Sequence, residues 1–247
     1  MISEFPLFVF TILGGMAAGA YVFVSFVPMR KSARPWAFPA LVLVLLAISG
    51  IALLTHLGRP ALVLNAFKNP TSGITLEGFA TMLFGVLVVV DFVLALMKKQ
   101  SRVVHVLAAI AGVLLLLAMG YAYASFAGVV VWGTWQTYLL FVFGGLAMGA
   151  TLAAFFTDGG YGNATLAIAT MVALVLGIIS IALVGAVFAG NGYEPAAFIV
   201  GAVLVALAAC VAWYARKKGD STVFVAGAFA LAFIGVAVAR YFFYAVV

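Results

Sequence analysis

The segment HLGRP, residues 56–60, places a histidine and an arginine at the end of a long apolar run. Gly58 and Pro60 are expected to end the helix here, because glycine permits a left-handed turn and proline cannot continue the hydrogen-bond ladder. An imidazole at that boundary can exchange protons with water while it contacts an apolar ligand between helices. His56 is therefore a candidate proton acceptor, since histidine is the side chain most easily switched near neutral pH. A structural role, in which the last helical carbonyls satisfy His56, stays open.

Four more polar residues accompany His56 at the same predicted end of the molecule. Arg59 and Asn65 fall in the predicted connection 58–75, which is unusually long for a helical bundle. Glu77 opens the next helix, where the helix dipole favours a carboxylate, so capping alone would explain it. Arg240 lies inside an apolar helix and needs a buried partner or a water-filled cavity. An ion pair between Glu77 and Arg240 would satisfy both groups.

Asp91 and His105 are expected toward the opposite end, in helices 3 and 4. Antiparallel neighbours could bring them together as an ion pair or a point of proton uptake, but the favoured interpretation is an aspartate that snorkels toward the basic residues 98–102. His56 and His105 are predicted at opposite membrane faces, which excludes a bis-histidine haem. Cys210 is the single cysteine, so this chain alone builds neither a disulfide nor an iron–sulfur cluster. No metal-site pattern, phosphate loop or nucleophile motif is present.

The elements that position these residues are transmembrane helices. The chain has 247 residues, of which 68% are hydrophobic and 7% charged, and a water-soluble domain does not tolerate that composition. Eight apolar runs each reach the length of about 20 residues that a membrane-spanning helix needs. A β-barrel would alternate apolar and polar residues, whereas these runs are apolar on every face. We therefore predict an all-α integral membrane protein with eight transmembrane helices. The helices are predicted over residues 5–29, 36–57, 76–97, 103–127, 134–156, 163–189, 195–214 and 221–246.

The basic residues indicate the topology. Nine of the twelve Lys and Arg residues follow predicted helices 1, 3 and 7 on one side of the membrane, and three fall on the other side. The positive-inside rule then places the basic connections in the cytoplasm and both termini on the outer side of the inner (cytoplasmic) membrane. This explains the net charge of +6 without a nucleic-acid surface. The leader MISEF carries Glu4 and no Lys or Arg, so helix 1 is expected to be retained and not cleaved as a signal peptide.

A small-residue motif occurs twice, as GGMAAGA at 14–20 and GGLAMGA at 144–150. The match indicates duplication of a four-helix unit, whose copies would have the same orientation. Close helix packing alone is the alternative, since small residues recur wherever membrane helices approach. Both interpretations predict that the same glycines face neighbouring helices. These are Gly15, Gly19, Gly145 and Gly149.

The predicted halves differ in their chemistry. They are residues 1–129 and 130–247 of a single transmembrane domain, and nothing in the second half matches THLGRPALVLNAFKN at 55–69. The specialised site is therefore expected in the first half. Trp132 and Trp135 are expected in the interfacial aromatic belt, with a partner contact as the alternative.

The sequence resembles the DmsC family, the membrane anchor subunits of dimethyl sulfoxide reductase and related complex iron–sulfur molybdoenzymes. The resemblance spans all eight helices in order, and HLG with a downstream asparagine is its most specific part. This chain is shorter than the family pattern, with tighter loops in its second half. The segments that carry the resemblance are EFPLFVFT at the N-terminus, HLGRPALVLNAFKN, TW at 134–135 followed by FVFGG, and the terminal ARYFFY.

The resemblance implies an anchor that oxidises menaquinol and passes electrons to an extrinsic iron–sulfur subunit. That subunit would supply a molybdopterin subunit that reduces dimethyl sulfoxide or a similar acceptor, and activity is expected only from the assembled complex. The family's functional histidine corresponds to His56 and its acidic residue to Glu77, while Arg59, Asn65 and Arg240 are expected to complete the quinol site. Because this chain offers no onward electron carrier, the partner cluster is expected near the outer mouth of the site.

Other functions stay open. Polysulfide-reductase-type anchors also have eight helices and quinone sites, and electrons could flow in reverse, into quinone. A transporter would require broken helices and polar groups at the membrane midplane, which are scarce here. A purely structural anchor would use the outer polar residues only for capping and packing.

Overall fold

The computed structural model describes residues 4–32, 34–56, 68–218 and 221–246. Within these ranges the chain forms eight long helices, one 3₁₀ turn at Gly160–Gly162, and a single isolated β-bridge between Met29 and Thr157. All eight helices are long and apolar enough to span a membrane. The prediction of an all-α protein with eight transmembrane helices is thus confirmed. The helices are α1 (Phe5–Val24), α2 (Ala37–His56), α3 (Gly73–Leu96), α4 (Arg102–Ala124), α5 (Trp135–Ala153), α6 (Ala164–Gly190), α7 (Ala196–Lys218) and α8 (Thr222–Tyr244).

Helix α1 ends earlier than its apolar run predicts, because the chain after it pairs with another connection. The Pro28 carbonyl accepts a hydrogen bond from the Asp158 amide at 2.9 Å, and the Arg30 amide donates to the Phe156 carbonyl at 2.7 Å. Proline cannot continue a helical ladder, so an extended segment begins at this point. The connections that follow α1 and α5 are thereby joined.

Helices α1 and α5 form the centre of the bundle. Helix α1 packs against α2, α4, α5 and α8, and α5 contacts α4, α6 and α8 as well as α1. A Cβ atom at Gly19 would overlap the Gly145 carbonyl, and one at Gly149 would overlap the backbone of Gly19. The two small-residue motifs therefore meet each other, backbone against backbone. The expectation that these glycines and Gly15 face neighbouring helices is confirmed, while duplication and the division into halves stay predictions.

The start of α1 and the end of α8 lie at the same end of the bundle. The Thr11 and Tyr244 hydroxyl oxygens are 3.1 Å apart and share a hydrogen bond. We name this the outer end, and we name the end that contains the α3–α4 and α7–α8 connections the inner end. The names follow the positive-inside prediction, and the orientation in the membrane remains a prediction.

Substitution of Gly149 by leucine is expected to separate α1 from α5. The new side chain has no space against Gly19, so we expect a loss of about 3 kcal/mol in stability, as for severe overpacking. Thermal unfolding of the detergent-solubilised protein measures the effect. Gly85→Leu is the matched control, because no atom lies within 4 Å of a Cβ at that position. Equal unfolding midpoints for the two variants would contradict the close contact.

Candidate functional site

A mostly apolar cavity of about 400 Å³ lies at the outer end, between α1, α2, α3 and α4. Its volume falls in the range of roughly 300–1,000 Å³ that small-molecule sites occupy. A histidine and two carboxylic acids line it from different helices or helix ends: His56, Glu4 and Glu77. Such a lining, apolar with a few convergent polar groups, suits an apolar ligand that carries a polar head.

His56 is the last residue of α2, and it pairs with Glu4, which directly precedes α1. The distance from His56 Nδ1 to Glu4 Oε2 is 3.4 Å. The two side chains are 32% and 18% exposed, so the pair borders both the cavity and the surface. The Glu4 side chain makes no capping hydrogen bond to α1. The Glu4 carboxylate thus interacts with His56 and not with the amides at the start of α1.

Glu77 lies inside α3 and is buried, with 3% of its surface exposed. The capping role considered for it is wrong, because α3 begins at Gly73 and Ser72 is its cap: the Ser72 hydroxyl accepts a hydrogen bond from the Thr75 amide at 3.3 Å. Among the described residues, none forms a hydrogen bond with Glu77 Oε1. A buried oxygen without a partner costs free energy, so a ligand that donates a hydrogen bond would be stabilised there.

Arg240 does not pair with Glu77, and that prediction is wrong. Helix α8 directs the fully buried guanidinium between α1 and α5, where backbone carbonyls accept hydrogen bonds from both terminal nitrogens, while Nε has no hydrogen-bond partner among the described residues. Its Nη1 donates to the Thr11 carbonyl at 2.6 Å and its Nη2 to the Phe141 carbonyl at 2.9 Å. The guanidinium also lies over the Phe141 ring, 4.6 Å from its centre. Arg240 is not among the described residues that line the cavity.

Aromatic rings connect Arg240 to the cavity. Tyr123 lines the cavity and stacks on Phe141, with 4.9 Å between ring centres and 5° between planes. Trp132 also lines the cavity, donates from Nε1 to the Phe243 carbonyl at 2.8 Å and stacks on that ring. The interfacial interpretation of Trp132 is therefore wrong, because its ring is 4% exposed. Trp135, at 61% exposed, can occupy an interface.

The sequence matches the DmsC family, described as DMSO reductase anchor subunit (DmsC), over residues 1–246. This chain belongs to the DmsC family. The predicted resemblance is thereby confirmed over essentially the whole chain. A comparison with curated proteins gives no match. As a DmsC protein with eight membrane-spanning helices, the chain is a multi-pass membrane anchor of a DMSO reductase complex, which is an oxidoreductase.

Among the residues that line this DmsC cavity, Glu4, Tyr123 and Trp132 were not assigned to the site from the sequence. Glu4 carried a signal, since an acid immediately before an outer-end helix start has few other partners. No signal in the sequence indicated Tyr123, because its place in the cavity depends on the rotation of α4 relative to α3. Arg59 and Asn65, the other predicted site residues, lie outside the described residues. In the described ranges, no group of three or more His, Cys, Asp and Glu side chains is placed to hold a metal ion.

The second polar cluster of this DmsC chain lies at the inner end. His105 Nε2 is 3.1 Å from Asp91 Oδ1, and the Tyr21 hydroxyl donates to Asp91 Oδ2 at 2.9 Å. Asp91 is 1% exposed, so the snorkelling interpretation is wrong. The aspartate faces α1 and α4 because both supply a partner inside the bundle. The cluster therefore joins α1, α3 and α4 at the end opposite His56.

Replacement of Arg240 by lysine is expected to destabilise DmsC by about 2 kcal/mol, in the range for hydrogen bonds to charged groups. A lysine ammonium lacks the planar fork that reaches carbonyls on α1 and α5 together. Thermal unfolding in detergent measures this, with the exposed Arg34→Lys as control. An unchanged midpoint for Arg240→Lys would show that the fork is dispensable.

Asp91 and His105 are expected to be energetically coupled. In a double-mutant cycle with Asp91→Ala and His105→Ala, we expect a coupling energy of about 1–3 kcal/mol in unfolding. The reason is that each single substitution leaves a buried polar group without its partner. Additive effects of the two substitutions would mean that the contact contributes nothing to stability.

Proposed function

We propose that this protein oxidises menaquinol in the outer-end cavity and delivers the electrons to an iron–sulfur subunit of its complex. The observation that carries the proposal is the convergence of His56, Glu4 and the buried Glu77 on one mostly apolar cavity at the end of the bundle. A menaquinol has an apolar ring and tail with hydroxyls at its edges, and this lining matches both parts. Family membership supports the proposed delivery of electrons to a partner subunit, since the DmsC description is that of a DMSO reductase anchor subunit.

His56 is the proposed acceptor of the first proton. Oxidation of a quinol to a quinone releases two protons and two electrons, so acceptors for both must be present. An imidazole takes up and releases protons near neutral pH, and His56 borders both the cavity and the surface. A positioned general base of this kind typically accelerates proton transfer by about 10²–10⁴-fold.

Glu77 is the proposed partner of the second hydroxyl. Its Oε1 is buried and accepts no hydrogen bond from the described residues, so a hydroxyl donor in the cavity would remove the cost of that unsatisfied oxygen. The same carboxylate then accepts the second proton. Arg59 and Asn65 are proposed to order the head of the quinol, and Arg240 to hold the Phe141 and Tyr123 wall from behind.

The electrons are proposed to leave through partner subunits on the outer face of the cytoplasmic membrane. The chain has one cysteine and two histidines, and His56 and His105 lie at opposite ends. These residues cannot ligate an iron–sulfur cluster or form a bis-histidine haem. A partner cluster near the outer mouth is the shortest route, and a molybdopterin subunit beyond it would reduce dimethyl sulfoxide or a related acceptor.

His56→Ala tests the proposal in membranes that contain the assembled complex. We expect the rate of naphthoquinol oxidation to fall by about 100-fold or more, the effect of losing a general base. Reduction of the terminal acceptor with an artificial dye donor, which bypasses this chain, should be unchanged. His105→Ala is the matched control, because it removes the second histidine of the chain at the opposite end. Rates are expressed per assembled complex.

Retention of naphthoquinol oxidation in His56→Ala would overturn the assignment of His56. Loss of the dye-driven rate as well would indicate failed assembly, and Glu77→Gln then serves as the second test. That variant keeps the shape of the side chain but cannot accept a proton. A wild-type naphthoquinol rate for both variants would overturn the quinol site as a whole.

A further inference from the structure

We propose that Glu4 is a positioning and proton-relay residue that receives the proton from His56 and releases it to water at the outer end. This inference deepens the proposed quinol site and rests on it. The order is quinol, His56, Glu4, water. It assigns a role to the cavity residue nearest the start of the chain.

The contact that carries the inference is the 3.4 Å approach of Glu4 Oε2 to His56 Nδ1. Within the described part of the chain, Glu4 Oε2 has no hydrogen-bond partner and is closed off from solvent. A carboxylate directly before a helix is ordinarily stabilised by the exposed backbone amides, yet the Glu4 side chain makes no capping hydrogen bond to α1. The orientation of the carboxylate is thus explained by the imidazole and not by the helix.

The exposure of the cavity residues sets a direction for the proton. Glu77 also lines the cavity and is 3% exposed, whereas the His56 and Glu4 side chains are 32% and 18% exposed. A proton that reaches the dyad is therefore close to water, while one on Glu77 is enclosed. Release through the dyad is the shorter path.

The other titratable groups around Glu4 do not replace it. Glu77 of α3 and Tyr123 of α4 line the same cavity. Both are neutral when protonated, so neither forms a cation that a carboxylate would stabilise. On α8, the Tyr244 hydroxyl is hydrogen-bonded to the Thr11 hydroxyl, and Arg240 is held by the Thr11 carbonyl. When His56 takes up a proton and becomes positive, Glu4 is the carboxylate in contact with it. An adjacent negative charge of this kind stabilises an imidazolium.

The proposed step is balanced as follows. The O–H bond of one quinol hydroxyl breaks and His56 Nε2 takes the proton, after which the Nδ1–H bond breaks and that proton moves to Glu4 Oε2. The Glu4 carboxyl group, whose side chain is 18% exposed, then turns its protonated oxygen toward outer water and loses the proton. The second proton goes to Glu77. Two electrons pass to oxidised iron–sulfur clusters of the partner subunit, and the quinol becomes the quinone.

Glu4→Gln, Glu4→Asp and Glu194→Gln are compared in membranes with the assembled complex, with a short-chain naphthoquinol as donor. We expect Glu4→Gln to lower kcat about tenfold, a smaller effect than loss of the direct acceptor, with little change in KM. Glu4→Asp should recover most of the rate, because it restores an acidic relay. Glu194 is an exposed acid outside this cavity, so its variant should match the wild type. In the His56→Ala background, Glu4→Gln should cause no further loss.

Three outcomes would overturn the relay. A wild-type kcat in Glu4→Gln would do so, and the His56→Ala result would then still support the quinol site. A rise in KM at constant kcat would make Glu4 a binding residue. A parallel loss in both Glu4 variants, with the dye-driven rate also lost, would make it an assembly residue. An unaffected His56→Ala rate would instead reject His56 as the proton acceptor, and a wild-type rate in Glu77→Gln as well would reject the proposed function itself.

Discussion

The buried guanidinium of Arg240 is the interaction on which the centre of this protein depends. An unpaired charge inside a membrane bundle is costly, and here the cost is offset by carbonyl oxygens of α1 and α5 and by the face of Phe141. Gly15 and Gly144 lie beside the guanidinium, and a Cβ at either position would lie 3.4 Å from one of its nitrogens. The small-residue motifs therefore permit two things at once, the contact between the central helices and the insertion of a cation from α8.

The candidate site is built against this fixed centre. Phe141 carries the guanidinium on its ring and Tyr123 stacks upon it, so one wall of the cavity is anchored to the α1–α5 crossing. The opposite wall comes from α2 and α3, which supply His56 and Glu77. Different helices thus supply the apolar surface for a ring system and the few polar groups for its head. This division matches what a quinol requires: burial for the ring and proton acceptors near water.

Periodicity and composition predicted the fold well because membrane burial acts on whole segments. An apolar run of sufficient length has few alternatives to a spanning helix, and all eight runs became helices. Pairing of buried charges was harder to predict. The Glu77–Arg240 pair failed because backbone carbonyls, which leave no signal in a sequence, accept the hydrogen bonds of the two terminal guanidinium nitrogens. Asp91 was misjudged because its inward orientation depends on the rotation of α3, which places it against Tyr21 and His105.

The backbone contact between Gly19 and Gly145 has a consequence for electron transfer. Two helices that touch without intervening side chains cannot slide or rock without losing that fit, and the bridge at Met29 and Thr157 fastens the connections that follow them. These contacts therefore hold the two central helices in one position against each other. Tunnelling rates fall steeply with distance, so a fixed bundle would keep the proposed quinol site at a constant separation from a cluster in a partner subunit.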